Sequence, residues 1–298
     1  MLPHHSPPPL PCTKKRLCKV GEALAAGTAT PEDFDLYAAA LDVYDQRTTM
    51  LRDVIDDIDW TAVLGRDVEL HVTARTKTLG TLVEKLRRPP LIKFPYIRDV
   101  SGVRIVGDML LSEQNRIGEH LRGVFELPES AVIDRRAQPE SGYRALHVSV
   151  AWDGLLAEVQ IRTELQAAWA DIYERQADLW GREMRYGVPP APGPDGTNDA
   201  RVALITELHM VSLERIALVE ELRDDVAGMA AEVPGLERDL ASLRKLRGPD
   251  AVKMQSRARA FRSKHESTIR DLNQRVEDLV QGLREGLLLL AGWAETVK

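Results

Sequence analysis

The sequence is poor in cysteine and in aromatic residues, and it lacks long apolar runs. Its two cysteines, Cys12 and Cys18, are not spaced like the close pairs that bind zinc, and we expect a reducing, cytoplasmic location. No stretch is long and apolar enough to span a bilayer, and the first residues lack the apolar centre of a signal peptide. Aromatic residues make up 5% of the chain, which argues against an aromatic-rich binding surface. We therefore expect a protein that has no membrane partner.

Acidic and basic residues are nearly balanced, with a small excess of acids. The 298 residues include 40 Lys and Arg against 46 Asp and Glu, which gives a formal net charge of -6. The field of the whole molecule therefore cannot attract nucleic acid, and any such affinity needs a local basic patch. A hydrophobic fraction of 44% is typical of chains with a packed core, and the length suits one or two domains.

Composition divides the chain into three parts. Residues 1–28 mix Pro, Lys, Arg and Gly without apolar periodicity, which predicts a flexible basic arm. Residues 29–190 alternate strand-like and helix-like patterns, which predicts an α/β (α+β) domain with a mixed β-sheet flanked by helices. Residues 200–298 carry apolar residues at heptad spacing, which predicts a helical hairpin or a short coiled coil. This appendage suits a stabilising hairpin, a homo-oligomerisation element, a docking surface for a partner or a lid over the site.

Local signals give the order of the elements in the middle part. Thr30 followed by Pro31 and two acids is typical of the start of a helix. Apolar spacing and breaker residues then separate helices from strands. The predicted elements are a helix at 30–58, a strand at 68–72, a helix at 79–86, a strand at 100–106, a helix at 112–125 and a strand at 132–133.

The clearest local signal is a β-hairpin between residues 143 and 162. Asp153-Gly154 separates two strand-like runs and favours a two-residue turn. If Trp152 pairs with Leu155, the register is fixed, because opposite residue numbers then add to a constant. The predicted pairs are Ser149 with Glu158, His147 with Gln160 and Ala145 with Arg162. Tyr143 joins this polar face, and the other face is apolar, with Leu146, Val148, Val150, Val159 and Ile161.

Two carboxylates, Asp99 and Glu158, lie on separate predicted strands. Carboxylates that converge from a sheet suit a Mg²⁺ ion bound to nucleotide phosphates. Either one alone is better explained as a surface or structural carboxylate, but Glu158 has polar neighbours along the predicted hairpin face. Strict alternation places Asp99 and Arg104 on opposite faces, so both can reach one ligand only if Gly102 allows a bulge or Asp99 precedes the strand.

Basic residues accumulate between positions 75 and 104, where Glu84 and Asp99 are the only acids. Arg binds phosphate oxygens bidentately and Lys acts as a point charge, so a triphosphate or an RNA backbone is the expected ligand. An exposed helix face is the alternative, because cations near a helix end also stabilise the helix. No Walker A loop and no glycine-rich fingerprint occur, so side-chain cations would have to hold the phosphates. The cations of this stretch are Arg75, Lys77, Lys85, Arg87, Arg88, Lys93, Arg98 and Arg104.

Four ordered motifs lie within about residues 60–185. They are Ala74-Arg75-Thr76-Lys77, the run from Arg98 to Val106, Gly142-Tyr143-Arg144-Ala145-Leu146-His147, and the run from Glu158 to Thr163 followed by Trp169-Ala170. Together they resemble the synthetase domain of the RelA/SpoT-type alarmone synthetases. The resemblance implies the nucleotidyltransferase-like fold and an ATP-dependent pyrophosphokinase, which transfers pyrophosphate from ATP to the 3′-hydroxyl of GDP or GTP. No His-Asp dyad occurs, so the chain is similar to a small, synthetase-only form without the hydrolase domain.

The resemblance implies a role for each matching position. Arg75, Lys77 and Arg104 would hold the phosphates of ATP, the pyrophosphate donor. Asp99 and Glu158 would bind Mg²⁺, and Glu158 would also help to deprotonate the acceptor. Tyr143 would stack on the acceptor base. His147, Gln160 and Arg162 would position the acceptor ribose and phosphates for in-line attack.

The sequence departs from the family near the residues that would recognise the acceptor. The Pro-Lys pair of housekeeping members is replaced by Ala-Gln-Pro-Glu-Ser at 137–141, and the pattern after Ala170 also differs. These departures resemble the toxic small synthetases, which pyrophosphorylate the 3′-terminal adenosine of tRNA under the control of an antitoxin protein. We therefore favour the 3′-CCA end of tRNA as the acceptor, in a translation-inhibiting toxin of a toxin–antitoxin or phage-defence system. Lys85, Arg87, Arg88 and Lys93 would contact the tRNA backbone.

Two other functions stay open. The acceptor can instead be a guanosine or adenosine nucleotide, which would make the chain a (p)ppGpp or (p)ppApp alarmone synthetase of the stringent response. The chain can also be a binding module that keeps the synthetase fold without turnover and binds RNA or a partner protein. The presence of both Asp99 and Glu158 favours an enzyme, since a module without turnover has no need for both.

Overall fold

The computed structural model describes residues 7–76, 79–87, 93–97, 100–152, 154–190, 199–243, 245 and 247–297. These residues form two compact units. The first, the sheet unit, comprises Met1–Met109, Glu113–Gln138 and Arg144–Glu164. The second, the helical unit, comprises Leu110–Ser112, Pro139–Tyr143 and Leu165–Lys298. Residues 165–190, which the sequence assigned to the catalytic domain, therefore belong to the helical unit.

The sheet unit is built on a five-stranded mixed sheet, as predicted. In chain order the strands are β1 Leu70–Thr76, β2 Ser101–Gly107, β3 Val132–Asp134, β4 Leu146–Trp152 and β5 Leu155–Thr163. Their order across the sheet is β1-β2-β5-β4-β3. The pair β2 and β5 is parallel, and the other three pairs are antiparallel. The predicted β-hairpin is the pair β4 and β5.

One face of the sheet packs against helices. Alternate residues of β2, β4 and β5 on this face are apolar and almost completely buried, including Val103, Ile105, Val148, Val159 and Ile161. They join one apolar cluster with residues from the helices of the unit. Burial of apolar area at about 25 cal/mol per Å² makes this cluster the main source of stability for the unit. The helices are α1 Lys14–Ala26, α2 Pro31–Asp56, α3 Trp60–Leu64, α4 Leu79–Arg87 and α5 Leu111–Val124.

The long helix α2 begins as the sequence predicted. Thr30 and Asp33 form a capping box, in which each side chain accepts a hydrogen bond from the other residue's backbone N–H, and Pro31 occupies the first helical position. The helix ends at Asp56, two residues before the predicted end. It packs along β1 and β2.

The prediction of a flexible arm is wrong for residues 14–26. This segment forms α1, with Thr13 as the N-cap and Gly27 as a left-handed C-cap. Leu17, Val20 and Leu24 lie on one side of the helix and are buried in the apolar cluster of the sheet unit. Their spacing is that of an amphipathic helix, and the prolines and cations that precede and surround it concealed this periodicity.

The helical unit contains the predicted C-terminal hairpin. Its helices are α6 Glu164–Trp180, α7 Asp199–Met210, α8 Ala217–Leu243 and α9 Pro249–Thr296, and a π-helical segment Val211–Ile216 joins α7 to α8. The helices α8 and α9 pack on each other, with Val226, Ile269 and Val276 buried. None of the helices that the structure describes combines the length and the hydropathy that crossing a bilayer requires.

Candidate functional site

The second face of the sheet is polar, and its residues lie in register across four strands. Glu158 on β5 lies between Gly102 on β2 and Ser149 on β4. Gln160 lies between Arg104 on β2 and His147 on β4. Paired residues of neighbouring strands point to the same side of a sheet, so these groups share one face. The predicted pairs Ser149 with Glu158 and His147 with Gln160 are confirmed.

Two predicted members of this face are placed differently. The ladder between β4 and β5 ends at Leu146 and Ile161, so Ala145 does not pair with Arg162 in it. The carbonyl oxygen of Ala145 instead accepts a hydrogen bond from the backbone N–H of Arg135, at 3.0 Å. Tyr143 is not a strand residue, because it follows the 3-10 turn Glu140–Gly142 and belongs to the helical unit.

Three side chains of β5 form a hydrogen-bonded series along the polar face. The guanidinium of Arg162 donates from Nη2 to Oε1 of Gln160, and Nε2 of Gln160 donates to Oε1 of Glu158; both distances are 2.9 Å. Nδ1 of His147 lies 3.4 Å from Oε2 of Glu158. The side chain of Arg162 is fully buried, whereas that of Glu158 is 22% exposed. The series therefore connects a buried cation to a carboxylate that solvent can reach.

The environment of Glu158 keeps its carboxyl group ionised. Burial by itself would raise the pKa of Glu158. The hydrogen bond and charge of His147, the hydrogen bond from Gln160 and the charge of Lys85 act in the opposite direction and lower the pKa to about 2. At neutral pH this position therefore holds a negative charge that is fixed by its neighbours.

The lowered pKa of Glu158 predicts a pH-dependent contribution to stability. An unfolded glutamate has a pKa of 4.5, so the ionised Glu158 stabilises the fold above pH 4.5, and this contribution is lost as the pH falls towards about 2. The difference between the two pKa values corresponds to roughly 3 kcal/mol. Urea unfolding of wild type and of Glu158→Gln at several pH values gives the difference between their free energies of unfolding. This difference should shrink as the pH falls through this range. A difference that does not change with pH would contradict the assignment.

Arg75 and Arg104, the two arginines predicted to hold ATP phosphates, lie on the polar side of the sheet. Arg75 on β1 is exposed and pairs in register with Gly102 on β2. Arg104 is partly buried and lies beside Gln160. Gly102 places no side chain between these strands. A Cβ at this position would lie 3.3 Å from the carbonyl oxygen of Arg75. The predicted site residues Lys77, Arg88 and Asp99 lie outside the described residues.

The strand β2 begins at Ser101 and keeps an unbroken register with both of its neighbours to Gly107. A bulge at Gly102 is therefore excluded. The other alternative, in which Asp99 precedes the strand, falls on a residue outside the described part of the chain.

The remaining cations of the basic stretch fall into two groups. Lys85 contributes to the lowered pKa of Glu158, so its charge acts on the polar face, a role that the sequence did not suggest. Arg87 and Lys93 contact α1 instead: Nε of Arg87 donates to the carbonyl oxygen of Ala25 at 2.8 Å, and Nζ of Lys93 lies 3.7 Å from a carboxylate oxygen of Glu22. Part of the basic stretch thus anchors α1.

The described residues contain no group of three or more His, Cys, Asp and Glu side chains that could hold a metal ion. Mg²⁺ bound to a nucleotide needs fewer protein ligands, because phosphates and water complete its shell. The ionised Glu158, with its hard oxygen atoms partly open to solvent, suits this mode of binding.

The segment Pro139–Tyr143 has an unusual backbone within the helical unit. Ser141 and Gly142 both have positive φ angles, 49° and 80°, a conformation that costs energy for serine. Oγ of Ser212 donates to the carbonyl oxygen of Gly142 at 2.5 Å, and a Cβ at position 142 would lie 2.8 Å from the ring of Trp169. Sequence patterns do not indicate the role of Ser212, because this contact joins residues that lie seventy positions apart.

A mixed sheet whose polar face carries arginines beside a glutamate that is ionised at neutral pH defines a candidate phosphate-binding α/β domain. Residues 74–177 match the family signature described as "Region found in RelA / SpoT proteins". This chain therefore contains a RelA/SpoT region, as its motifs predicted. The match begins within β1, includes β2, β3, β4 and β5 and extends into α6.

Relatives were found among curated proteins and among solved structures. Uncharacterised proteins of Mycobacterium tuberculosis strain H37Rv and of Mycobacterium bovis are 38% identical over 186 residues, which cover 62% of this chain and 66% of each relative. The chain thus spans just under two thirds of the length of these relatives. The crystal structures of small alarmone synthetases 1 and 2 from Bacillus subtilis are 23% identical and cover 66% of this chain and 99% and 98% of theirs, with TM-scores of 0.49 and 0.48.

Proposed function

We propose that this chain transfers pyrophosphate from ATP to the 3′-hydroxyl of a nucleotide or polynucleotide. The observation that carries the proposal is the series from Arg162 through Gln160 to Glu158, in register with Arg104, inside the RelA/SpoT region. In this reaction the acceptor oxygen attacks the β-phosphorus of ATP, the bond from the β-phosphorus to the bridging α–β oxygen breaks, and AMP leaves. The acceptor loses its hydroxyl proton and gains a diphosphate.

Glu158 and Asp99 are the residues we assign to Mg²⁺. When bound, the ion would neutralise charge on the β- and γ-phosphates during transfer. Glu158 brings to this task a carboxylate that remains ionised at any pH at which ATP is fully charged. By resemblance Glu158 is also assigned a part in deprotonating the acceptor, although the lowered pKa of its carboxyl group makes it a weak base.

We assign Arg75, Lys77 and Arg104 to the phosphates of ATP. The guanidinium groups of Arg75 and Arg104 come from neighbouring strands, and strand-borne groups are held more rigidly than groups on loops. We assign His147, Gln160 and Arg162 to the acceptor. Arg162 donates a hydrogen bond to Gln160, which donates one to Glu158, and these bonds restrict the rotamers of the three side chains. Acceptor binding therefore costs these side chains little further conformational entropy. Tyr143 is assigned to the acceptor base by resemblance.

Arg104→Ala should weaken ATP binding more than acceptor binding. Charge-assisted hydrogen bonds contribute about 1.5–3 kcal/mol each, so we expect the KM for ATP to rise roughly tenfold or more while the KM for the acceptor changes little. Steady-state kinetics with each substrate varied in turn measures both values. Arg122→Ala is the matched control, because Arg122 is a surface arginine that forms an ion pair with Glu119 on its own helix. An unchanged KM for ATP would refute the assignment.

For the acceptor we propose the 3′-CCA end of tRNA, with a guanosine or adenosine nucleotide as the alternative. The differences from the family pattern at 137–141 and after Ala170 support tRNA as the acceptor. With this acceptor the chain would be a translation inhibitor that requires an antitoxin. The contacts of Arg87 and Lys93 with α1 leave fewer cations of that stretch for a tRNA backbone, which supports the second.

Label transfer distinguishes these acceptors. The purified protein is incubated with γ-labelled ATP and Mg²⁺, and GDP, GTP, AMP, ADP, ATP or deacylated tRNA is offered in separate reactions. Label on tRNA supports the toxin, and label on a free nucleotide supports an alarmone synthetase. No label on any acceptor would refute the proposed activity and favour a binding module without turnover.

A further inference from the structure

The most basic segment of the chain follows α8 and includes the first part of α9. Residues 244–264 contain eight Lys and Arg and one acid, Asp250, for a net charge of +7 in a chain whose total is -6. The next 21 residues of the same helix, 265–285, contain three Arg and five acids, for a net charge of -2. Positive charge is therefore concentrated at the end of the hairpin and does not extend along it.

Three of these cations form a stripe on α9. Lys253, Arg257 and Lys264 are all exposed. At about 100° of rotation and 1.5 Å of rise per residue, they lie within about 40° of one another around the helix and span about 16 Å along it. The stripe belongs to an ordered element, because Nε2 of Gln255 on α9 donates to the carbonyl oxygen of Leu243 at the end of α8, at 2.8 Å.

The ion pairs at this end of the hairpin leave the stripe positive. Arg262 pairs with Glu237 at 2.6 Å and with Glu266 at 2.7 Å, so its charge is neutralised within the hairpin. Among the described residues, no ion pair is formed by Lys253, Arg257 or Lys264. Cations without carboxylate partners repel one another, and this cost to the hairpin is removed when a polyanion binds.

Apolar groups lie beside the stripe. The side chain of Phe261 is 61% exposed and that of Met254 is 52% exposed. Both line a groove of about 370 Å³ between α8 and α9, whose lining also includes Arg257, Leu240 and Leu243. An exposed aromatic ring next to cations is the combination with which proteins bind unpaired bases and the phosphates that follow them.

We propose that the α8–α9 end of the hairpin binds single-stranded RNA. The stripe would contact successive phosphates and Phe261 would stack on a base, which a duplex does not expose. A membrane surface fits less well, since an interfacial helix needs a continuous apolar face, and the apolar residues here are few and partly turned into the groove. An acidic protein segment would use the cations but would bring no base to the exposed ring of Phe261, which stacks on His265 with ring centroids 6.1 Å apart.

Binding of a fluorescently labelled oligouridylate to the full chain, without ATP, tests this surface. The anisotropy titration is repeated between about 50 mM and about 200 mM KCl, because each phosphate contact on a single strand contributes about 0.7 to the slope of log K against log salt. We expect the variant Lys253→Gln, Arg257→Gln, Lys264→Gln to lose about 2 from this slope and to bind on the order of tenfold more weakly at low salt. Phe261→Ala should weaken binding roughly fivefold or more.

The matched control is Arg270→Gln with Arg275→Gln, two exposed arginines on the same helix in its acidic part. This variant should bind RNA as wild type does, and circular dichroism should show the same helix content in all variants. Unchanged binding by the stripe variant, or no binding by wild type, would overturn the proposal. Preference for phosphatidylserine vesicles or polyglutamate over RNA would also overturn it.

Discussion

Glu158→Gln should lower the rate of pyrophosphate transfer by about a hundredfold to a thousandfold, the range typical of losing one group that stabilises charge in a transition state. The amide is nearly isosteric, so Gln160 can still donate to the oxygen at position 158, but the negative charge is gone. Mg²⁺ bound to ATP would then lack its negatively charged ligand on β5. Single-turnover kinetics with saturating ATP and acceptor measures the effect on the chemical step.

The matched control for Glu158→Gln is Glu69→Gln. Glu69 is a carboxylate of the sheet unit whose side chain is 86% exposed, and the same chemical change there should leave the rate unaltered. At neutral pH the Glu158 variant should remain folded by circular dichroism, because its neighbours can still hydrogen-bond to the amide. A folded variant that keeps the wild-type rate would show that Glu158 has no part in the reaction.

Trp169→Ala should cost the helical unit about 3–5 kcal/mol, which is typical of removing a large buried aromatic side chain. The indole of Trp169 is 1% exposed and stacks on Tyr173 with ring centroids 4.9 Å apart. Its Nε1 donates to the carbonyl oxygen of Leu208 at 2.7 Å, so truncation also leaves a buried acceptor without its donor. Urea unfolding followed by circular dichroism measures the loss.

Leu179→Ala on the same helix is the control for Trp169→Ala. Leu179 is 69% exposed, and surface substitutions of this kind usually change stability by less than about 0.5 kcal/mol. Trp169→Ala should also free the segment at Gly142, whose close approach to the indole the substitution removes. A loss in Trp169→Ala no larger than that in Leu179→Ala would contradict the packing of the helical unit described above.

The polar face of the hairpin was predictable because its signals are local. The dipeptide Asp153-Gly154 predicts a turn from sequence alone, and the two-residue alternation of a strand then predicts which side chains share a face. The register of Glu158 with Ser149 and of Gln160 with His147 follows from these two facts alone. The capping box at Thr30 was predictable for the same reason, since the cap and its partner are three residues apart.

Other features depend on contacts between distant parts of the chain, and the sequence did not indicate them. The effect of Lys85 on Glu158 arises from the position of α4 relative to β5. The strand β4 begins only at Leu146, and Tyr143 lies outside it. The left-handed conformations of Ser141 and Gly142 precede this start. The contact of Ser212 with Gly142 holds those conformations from another helix. Strand alternation carries no information about such contacts.

The identity of the nucleotide released from ATP tests the proposed pyrophosphokinase most directly. The protein is incubated with ATP, Mg²⁺ and each acceptor, and the nucleotides are separated by ion-exchange chromatography at successive times. We expect AMP to accumulate in equal amount with an acceptor that carries a new 3′-diphosphate, and to accumulate about a hundredfold or more slowly with Glu158→Gln. Release of ADP, or no acceptor-dependent release of AMP with any acceptor, would contradict pyrophosphate transfer.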